Sequence, residues 1–196
     1  MFKPTPSNFR QRYSLENKFI ILGVANVWTA NKGLQYFREL SRHLSTDEVI
    51  VLVGLTEKQK PNLPPRIIGI TKTDSVTALA EIYATADVFV NPTLEDTFPT
   101  TNLEALACGT PVITFNTGGS VESVSEGCGY IVPQASVDTI ISCIRDISKL
   151  GKTTYTRECL ERANRLYDKK GRYMEYIHLY ADLLPFSKQE QSIGLI

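Results

Sequence analysis

The stretch Asn91-Pro-Thr-Leu-Glu-Asp-Thr-Phe-Pro-Thr-Thr-Asn-Leu-Glu-Ala-Leu-Ala-Cys-Gly-Thr-Pro111 decides how this chain is read. An apolar run before it, Val88-Phe-Val90, has the character of a buried strand, and Pro99 leads into a strong helix former, Leu103-Glu-Ala-Leu-Ala107. Pro99 suits the first helical position because it has no N–H to leave unpaired, so the amides of Thr100, Thr101 and Asn102 are expected to point out of the helix N-terminus. That is an anion site. Two carboxylates bracket it, Asp96 in the loop and Glu104 about one turn into the helix. Carboxylates repel phosphate, so their natural partners are hydroxyls. On a helical wheel Leu103, Leu106 and Ala107 share the face expected to pack on a sheet, with Thr100, Glu104 and Cys108 in the stripe beside it. A ligand carrying both phosphates and sugar hydroxyls fits this arrangement. The plainer alternative is that the acids only favour a helix start through the macrodipole.

At these residues the chain resembles the nucleotide-sugar-binding, C-terminal half of retaining glycosyltransferases of GT-B architecture, in the bacterial group-1 or family-4 type. The signature of that family is a Glu, seven residues and a second Glu, followed by an Ala-rich turn and Cys-Gly-x-Pro-Val. Here the second acid is Glu104 and the tail reads Ala105-Leu-Ala-Cys-Gly-Thr-Pro-Val112. The first acid falls on Asp96, a shorter carboxylate, with Glu95 beside it as a rival. The resemblance implies that the first acid meets the donor sugar and the second the ribose hydroxyls. It also brings Phe98, Pro99, Thr100 and Thr101 to the donor.

Length and composition describe one domain able to bury a full core: 196 residues, 42% of them hydrophobic. Lys plus Arg equals Asp plus Glu at 21 each, so no net field recruits nucleic acid or an anionic membrane. Cys108, Cys128, Cys143 and Cys159 are widely spaced with no Cys-x-x-Cys pair, which argues against zinc and against a disulfide framework. Reduced thiols in a cytosol are the expected state. No apolar run approaches the roughly 20 residues that cross a bilayer. Neither histidine, His43 or His178, adjoins a serine or cysteine in a nucleophile pattern. Dinucleotide and P-loop glycine motifs are missing as well.

Residues 1–18 read as a linker and short helix, with Ser7 capping a turn that runs to Tyr13. Residues 19–184 read as the Rossmann-like domain and 185–196 as a tail. Strands and helices alternate from Phe19, the pattern of an α/β, doubly wound parallel sheet of about six strands. The strands are Phe19–Ala25, Glu48–Val53, Arg66–Ile70, Val88–Val90, Val112–Phe115 and Gly129–Val132. Helical spacing marks Leu34 to Leu44 and Ser75 to Ala84, then segments near 136–149, 154–168 and 172–184. The last carries an apolar stripe of Tyr173, Tyr176, Ile177 and Tyr180, read as packing on this domain or, by the resemblance, on a preceding half.

Two further loops reach the carboxyl edge, where open α/β sheets bind ligands. Lys32, at the helix start after the first strand, opposes the macrodipole, which an anionic ligand would explain. The resemblance places the Lys32-Gly33 pair at the donor diphosphate. An Arg that the family carries five or six positions earlier is replaced by Val27 or Asn26. Gly118-Gly-Ser120 opens a helical turn through Val124 as a third, flexible loop; the resemblance puts Gly118 and Gly119 near the donor. Thr71 and Lys72 stand where they could flank a nucleobase.

The resemblance therefore implies transfer of a sugar from a nucleotide diphosphate, most often UDP, to a glycan or lipid-linked acceptor, with Lys32 and Asp96 as the catalytic pair. No metal or other cofactor is called for. The acceptor would be held by a separate N-terminal domain, and the work would be cytoplasmic, at the inner face of the membrane if the other half attaches there. Two other classes fit less of the sequence: a noncatalytic nucleotide-sugar-binding module, and a flavodoxin-like signalling domain with an incidental acidic loop.

Overall fold

Six apolar runs form strands β1 (Phe19–Val24), β2 (Glu48–Val53), β3 (Ile67–Ile70), β4 (Val88–Asn91), β5 (Val112–Phe115) and β6 (Gly129–Val132). In the computed structural model, which describes residues 1–184, they make one parallel sheet in the order β3-β2-β1-β4-β5-β6. Ile20, Ile21 and Leu22 of β1 and Val88 and Phe89 of β4 are wholly buried, as they must be when both faces of a parallel sheet are covered. Around the sheet lie helices α1 (Phe9–Arg12), α2 (Leu34–Leu40), α3 (Val76–Thr85), α4 (Thr100–Ala107), α5 (Ser120–Ser123), α6 (Val137–Leu150), α7 (Lys152–Tyr167) and α8 (Lys169–Leu183). The chain winds outward from β1 to β3, then returns to β4 and winds the other way. Ile21 and Leu22 of β1 pair with Val88 and Phe89 of β4, so the direction of winding reverses between these two strands. A crevice opens at such a point because the loops leaving the two strands diverge.

The expected strands are all present, each with bounds within about two residues of those read from the sequence. The first long helix is shorter than its periodicity suggested: α2 stops at Leu40, and Leu44 is buried from the turn beyond it. The Ser41 hydroxyl donates to the Arg38 carbonyl at 2.7 Å at that end, a side-chain bond of the kind that competes with continuing a helix. At α8 the Asp168 carboxylate accepts from the Gly171 amide at 2.8 Å and starts the helix three residues earlier than expected. Near the other terminus Phe9 and Leu15 join the core, the Ser7 hydroxyl accepts from the Phe9 amide at 3.0 Å, and Arg10 pairs with Asp87 at 2.7 Å.

The decisive helix is α4, and three expectations about it need correction. Pro99 is its N-cap, with extended backbone (φ −73°, ψ 106°), and Thr100 is the first helical residue. The Asn102 amide donates to the Pro99 carbonyl at 3.1 Å, so it is not free to meet an anion. The buried face is Asn102, Ala105 and Leu106, rotated from the predicted Leu103, Leu106 and Ala107. The cause is a polar residue in the core: Asn91 Nδ2 donates to Asn102 Oδ1 at 2.8 Å, and Asn102 Nδ2 donates to the Ser123 hydroxyl at 2.8 Å. That hydroxyl in turn donates to the Ser120 carbonyl at 2.6 Å. The chain of bonds locks β4, α4 and α5 together with every amide group of Asn102 satisfied. Asn102→Ala should therefore cost about 2–3 kcal/mol, because it strands the buried Asn91 amide and removes the donor that the Ser123 hydroxyl oxygen accepts from. Chemical denaturation with an unchanged m value checks this; a loss under about 0.5 kcal/mol would mean the network is dispensable.

The apolar stripe of α8 does not pack on this domain: no residue of the helix is buried, and Tyr176 and Tyr180 are about 60% exposed. The tail at 185–196 lies outside the described residues.

Candidate functional site

Lys32, in the turn before α2, and Asp96, in the loop after β4, meet at the crevice, with Nζ 2.7 Å from Oδ2. They are 64 residues apart in sequence. The meeting is built by backbone. Gly33 adopts a left-handed conformation (φ 80°) as the N-cap of α2, and a Cβ there would lie 2.3 Å from the Pro92 carbonyl oxygen, so the two loops touch only because this residue is glycine. The Leu94 amide donates to the Asn31 carbonyl at 2.8 Å. The buried Thr93 hydroxyl sits within bonding reach of the Asn31 and Glu95 carbonyls. Asp96 also accepts from the Phe98 amide through Oδ1 at 3.1 Å, so both of its oxygens are engaged. Glu95, its rival as first acid, is exposed, and its carboxylate has no hydrogen-bond partner among the described residues.

The Gly-Gly loop does not behave as a free flexible loop. Gly119 donates to the Asp96 carbonyl at 3.2 Å, and a Cβ on Gly118 or Gly119 would fall about 2 Å from the Asp96 or Thr97 carbonyl oxygen. The glycines press one backbone onto another and thereby hold the 96–98 segment from behind. Phe98, its ring 5.9 Å from that of Tyr167, closes the far side of the same segment.

Glu104 lies in a different wall. It lines an open cleft of roughly 300 Å³ together with Thr100 and Leu103 from α4, Tyr167 from the end of α7 and Lys169 from the start of α8. Lys32 and Asp96 do not line this cleft. Thr100, the first residue of α4, stands between the two groups, and no side chain caps the helix. Burial pushes the Glu104 carboxyl above its ordinary value, and a hydrogen bond from Tyr83 pulls it back. Tyr83 lies in the segment Ser75 to Ala84, which the sequence marks only by its helical spacing. The signal was available, since a buried phenol needs a partner for its hydroxyl. The network through Asn102 and Ser123 was also missed; a polar residue on a packed face is visible in sequence only once the face is known.

Val27 and Asn26, where the resembled family carries Arg, are exposed and supply no second cation. Thr71 and Lys72 follow β3, the outermost strand, with β2 between it and β1, which sets them aside from the crevice.

Residues 18–149, more than half of the chain, match the family described as glycosyl transferases group 1. A D-inositol 3-phosphate glycosyltransferase from Kribbella flavida is 32% identical over 111 residues, 56% of this chain and 22% of that protein. The chain spans about a third or less of the length of the curated relatives it matches. Among solved structures, HepE from Anabaena in complex with UDP-glucose superposes with a TM-score of 0.74 at 19% identity, over 92% of this chain and 54% of that one. The C-terminal domain of a group 1 glycosyl transferase, LpcC from Francisella tularensis, matches over 86% of this chain and 96% of its own, with a TM-score of 0.68 at 20% identity. At such identities the structural likeness is one of fold. The chain belongs to the glycosyl transferases group 1 family, and its six-stranded parallel sheet is a Rossmann-like half of the GT-B type.

Proposed function

We propose that this chain is the donor-binding half of a retaining glycosyltransferase. It would take a hexosyl group from a nucleotide diphosphate sugar, UDP-linked in the first instance, and an N-terminal lobe would hold the glycan or lipid-linked acceptor. The observation that carries the reading is the Lys32–Asp96 pair at 2.7 Å, held by welded loops at the point where the sheet reverses its winding. An ammonium has three donors, so Lys32 can serve Asp96 and a phosphate oxygen together. The amides of Thr100 and Thr101 open the uncapped end of α4 and add a second set of donors. Glu104, on the neighbouring wall, offers acceptors to ribose hydroxyls. UDP is the choice because a relative of this fold has been solved with UDP-glucose. In this reading charge growing on the leaving diphosphate is met by protein groups alone, with no resident cofactor. The product would enter a polysaccharide or another cell-surface glycan, made on the cytoplasmic side where such donors are held. Among the described residues no helix is long and apolar enough to cross a membrane.

Calorimetry of the chain with UDP tests the reading. Binding at or below millimolar concentration is expected, and its absence there would end the proposal. Glu104→Gln should weaken UDP about ten- to hundredfold, the equivalent of roughly 1.5–3 kcal/mol for hydrogen bonds to a charged acceptor. The melting temperature should barely move, because Glu104 lines the cleft rather than the core and Gln still presents an oxygen to Tyr83. A large stability loss with unchanged affinity would make Glu104 a structural residue.

A further inference from the structure

Tyr83 is wholly buried on α3, yet its hydroxyl does not go to a backbone carbonyl, the usual destination of a buried side-chain donor. It donates to Glu104 Oε2 at 3.0 Å, across to the wall of the open cleft. The ring cannot swing to another acceptor. Phe89 meets it edge-on with centroids 5.4 Å apart, Phe2 does the same from the other side at 5.8 Å, and the Thr110 hydroxyl ties the Tyr83 carbonyl at 2.6 Å to the turn after α4. A donor fixed in three places therefore aims at one oxygen of a carboxylate whose other oxygen is left for the cleft.

We propose that Tyr83 is a positioning residue for nucleotide binding: by holding Oε2 of Glu104 it turns Oε1 towards the vicinal hydroxyls of a ribose. The inference rests on the donor-binding reading given above and adds to it a residue that itself touches no ligand. The geometry makes sense of the choice of partner. A carboxylate free to rotate would spend part of its time folded against the helix, and a cleft hydroxyl would have to order it on binding; the phenol has done so in advance. The same bond opposes the upward push of burial on the Glu104 carboxyl, so that removing it should leave Glu104 easier to protonate. Burial keeps the phenol itself protonated far above neutral pH, so it remains a donor throughout. The other titratable or charged groups near Glu104 and Tyr83 are Cys108 at the C-cap of α4, Lys152 at the start of α7, Asp168 and Lys169 across the cleft, and the amino group of Met1, which also lines it. Burial raises the Cys108 thiol to about 11 and lowers the Lys152 ammonium, which donates to the Ala84 and Ala86 carbonyls, to about 8, so below pH 7 both keep the charge they carry at pH 7.

Tyr83→Phe removes one oxygen and opens no cavity. Titrations of UDP and of 2′-deoxy-UDP into the wild type and the variant, from pH 5 to 8, give the readout; comparison at equal pH cancels the titration of the phosphate itself. At pH 7.5 the variant should bind UDP about five- to tenfold more weakly, the scale of one hydrogen bond, while 2′-deoxy-UDP loses less. The acid limb of UDP binding should move to higher pH. In a Glu104→Gln background, Tyr83→Phe should change UDP affinity by less than about twofold, because the carboxylate it positions is already gone. If Tyr83→Phe binds UDP like the wild type with the same acid limb, or weakens it equally in both backgrounds, the positioning role is overturned. Absence of UDP binding in the wild type would overturn the donor-binding reading and this one with it.

Discussion

Lys32→Ala is expected to weaken UDP binding at least tenfold while leaving uridine, which has no phosphate, almost unaffected. In a polypeptide extended through the preceding lobe, kcat/KM for sugar transfer should fall about 10²- to 10³-fold, the usual cost of removing one donor aimed at charge that develops in the transition state. The two losses differ because a ground-state diphosphate is already charged, whereas the bridging oxygen gains most of its charge only as the glycosidic bond breaks. Stability should hardly respond. The Lys32 side chain is 39% exposed, and a pair of that kind is worth at most about 1 kcal/mol against water and side-chain entropy. Asp96→Asn gives the contrast: an amide oxygen still accepts from Phe98, so the loop keeps its shape, but the charge that holds the ammonium in place is lost. A milder loss than that of Lys32→Ala is expected from it. Wild-type kcat/KM in Lys32→Ala, or equal losses of UDP and uridine, would remove Lys32 from the diphosphate site.

The ion pair also bears on the shorter acid in the motif. Asp96 is engaged through both oxygens, by Lys32 and by the Phe98 amide. A carboxylate so engaged is suited to aiming the lysine, and each of its oxygens keeps a lone-pair site for a sugar hydroxyl. Glu95 is exposed and uncommitted. Glu95→Gln beside Asp96→Asn would show which of the two acids responds to the sugar.

Period and punctuation made the architecture legible. Runs such as Ile20-Ile-Leu22 and Val49-Ile-Val-Leu-Val53 can only be strands buried on both faces, and alternation with helical spacing then leaves a doubly wound sheet as the economical arrangement. The convergence of Lys32 with the 91–111 stretch followed from that topology, because the loops after the first and fourth strands leave the sheet side by side. What stayed hidden depends on contacts between distant residues. The packing face of α4 was misplaced because Asn102 looks polar in sequence and is apolar in function only through its pairing with Asn91 and Ser123. Gly118 and Gly119 read as a flexible loop, since a glycine pair carries no mark that separates freedom from crowding; here the missing Cβ atoms admit a neighbouring backbone. Tyr83 was hidden for the same reason, as its hydroxyl acquires meaning from Glu104, 21 residues away.

The chain as described should bind donor and transfer no sugar. The walls of its crevice all belong to one domain: Lys32, Asp96 and the start of α4 stand at a single sheet edge, and the cleft beside Glu104 is open. A donor bound there stays wet, which weakens each electrostatic contact and leaves the acceptor at its bulk concentration. Closing a second lobe over it would expel water and fix the attacking hydroxyl, effects that together supply most of the rate in chemistry of this kind. The exposed stripe of α8 agrees with this, because Tyr173, Tyr176, Ile177 and Tyr180 present an apolar surface that the described domain does not cover. Donor hydrolysis and transfer should be measured with this chain and with a polypeptide extended through the preceding lobe. UDP affinity should agree between the two within about tenfold, while turnover should be detectable only in the longer one. Comparable turnover from both would mean that one lobe holds a complete active site. Donor binding by both with turnover from neither, across a panel of acceptors, would favour a noncatalytic nucleotide-sugar-binding module over a transferase.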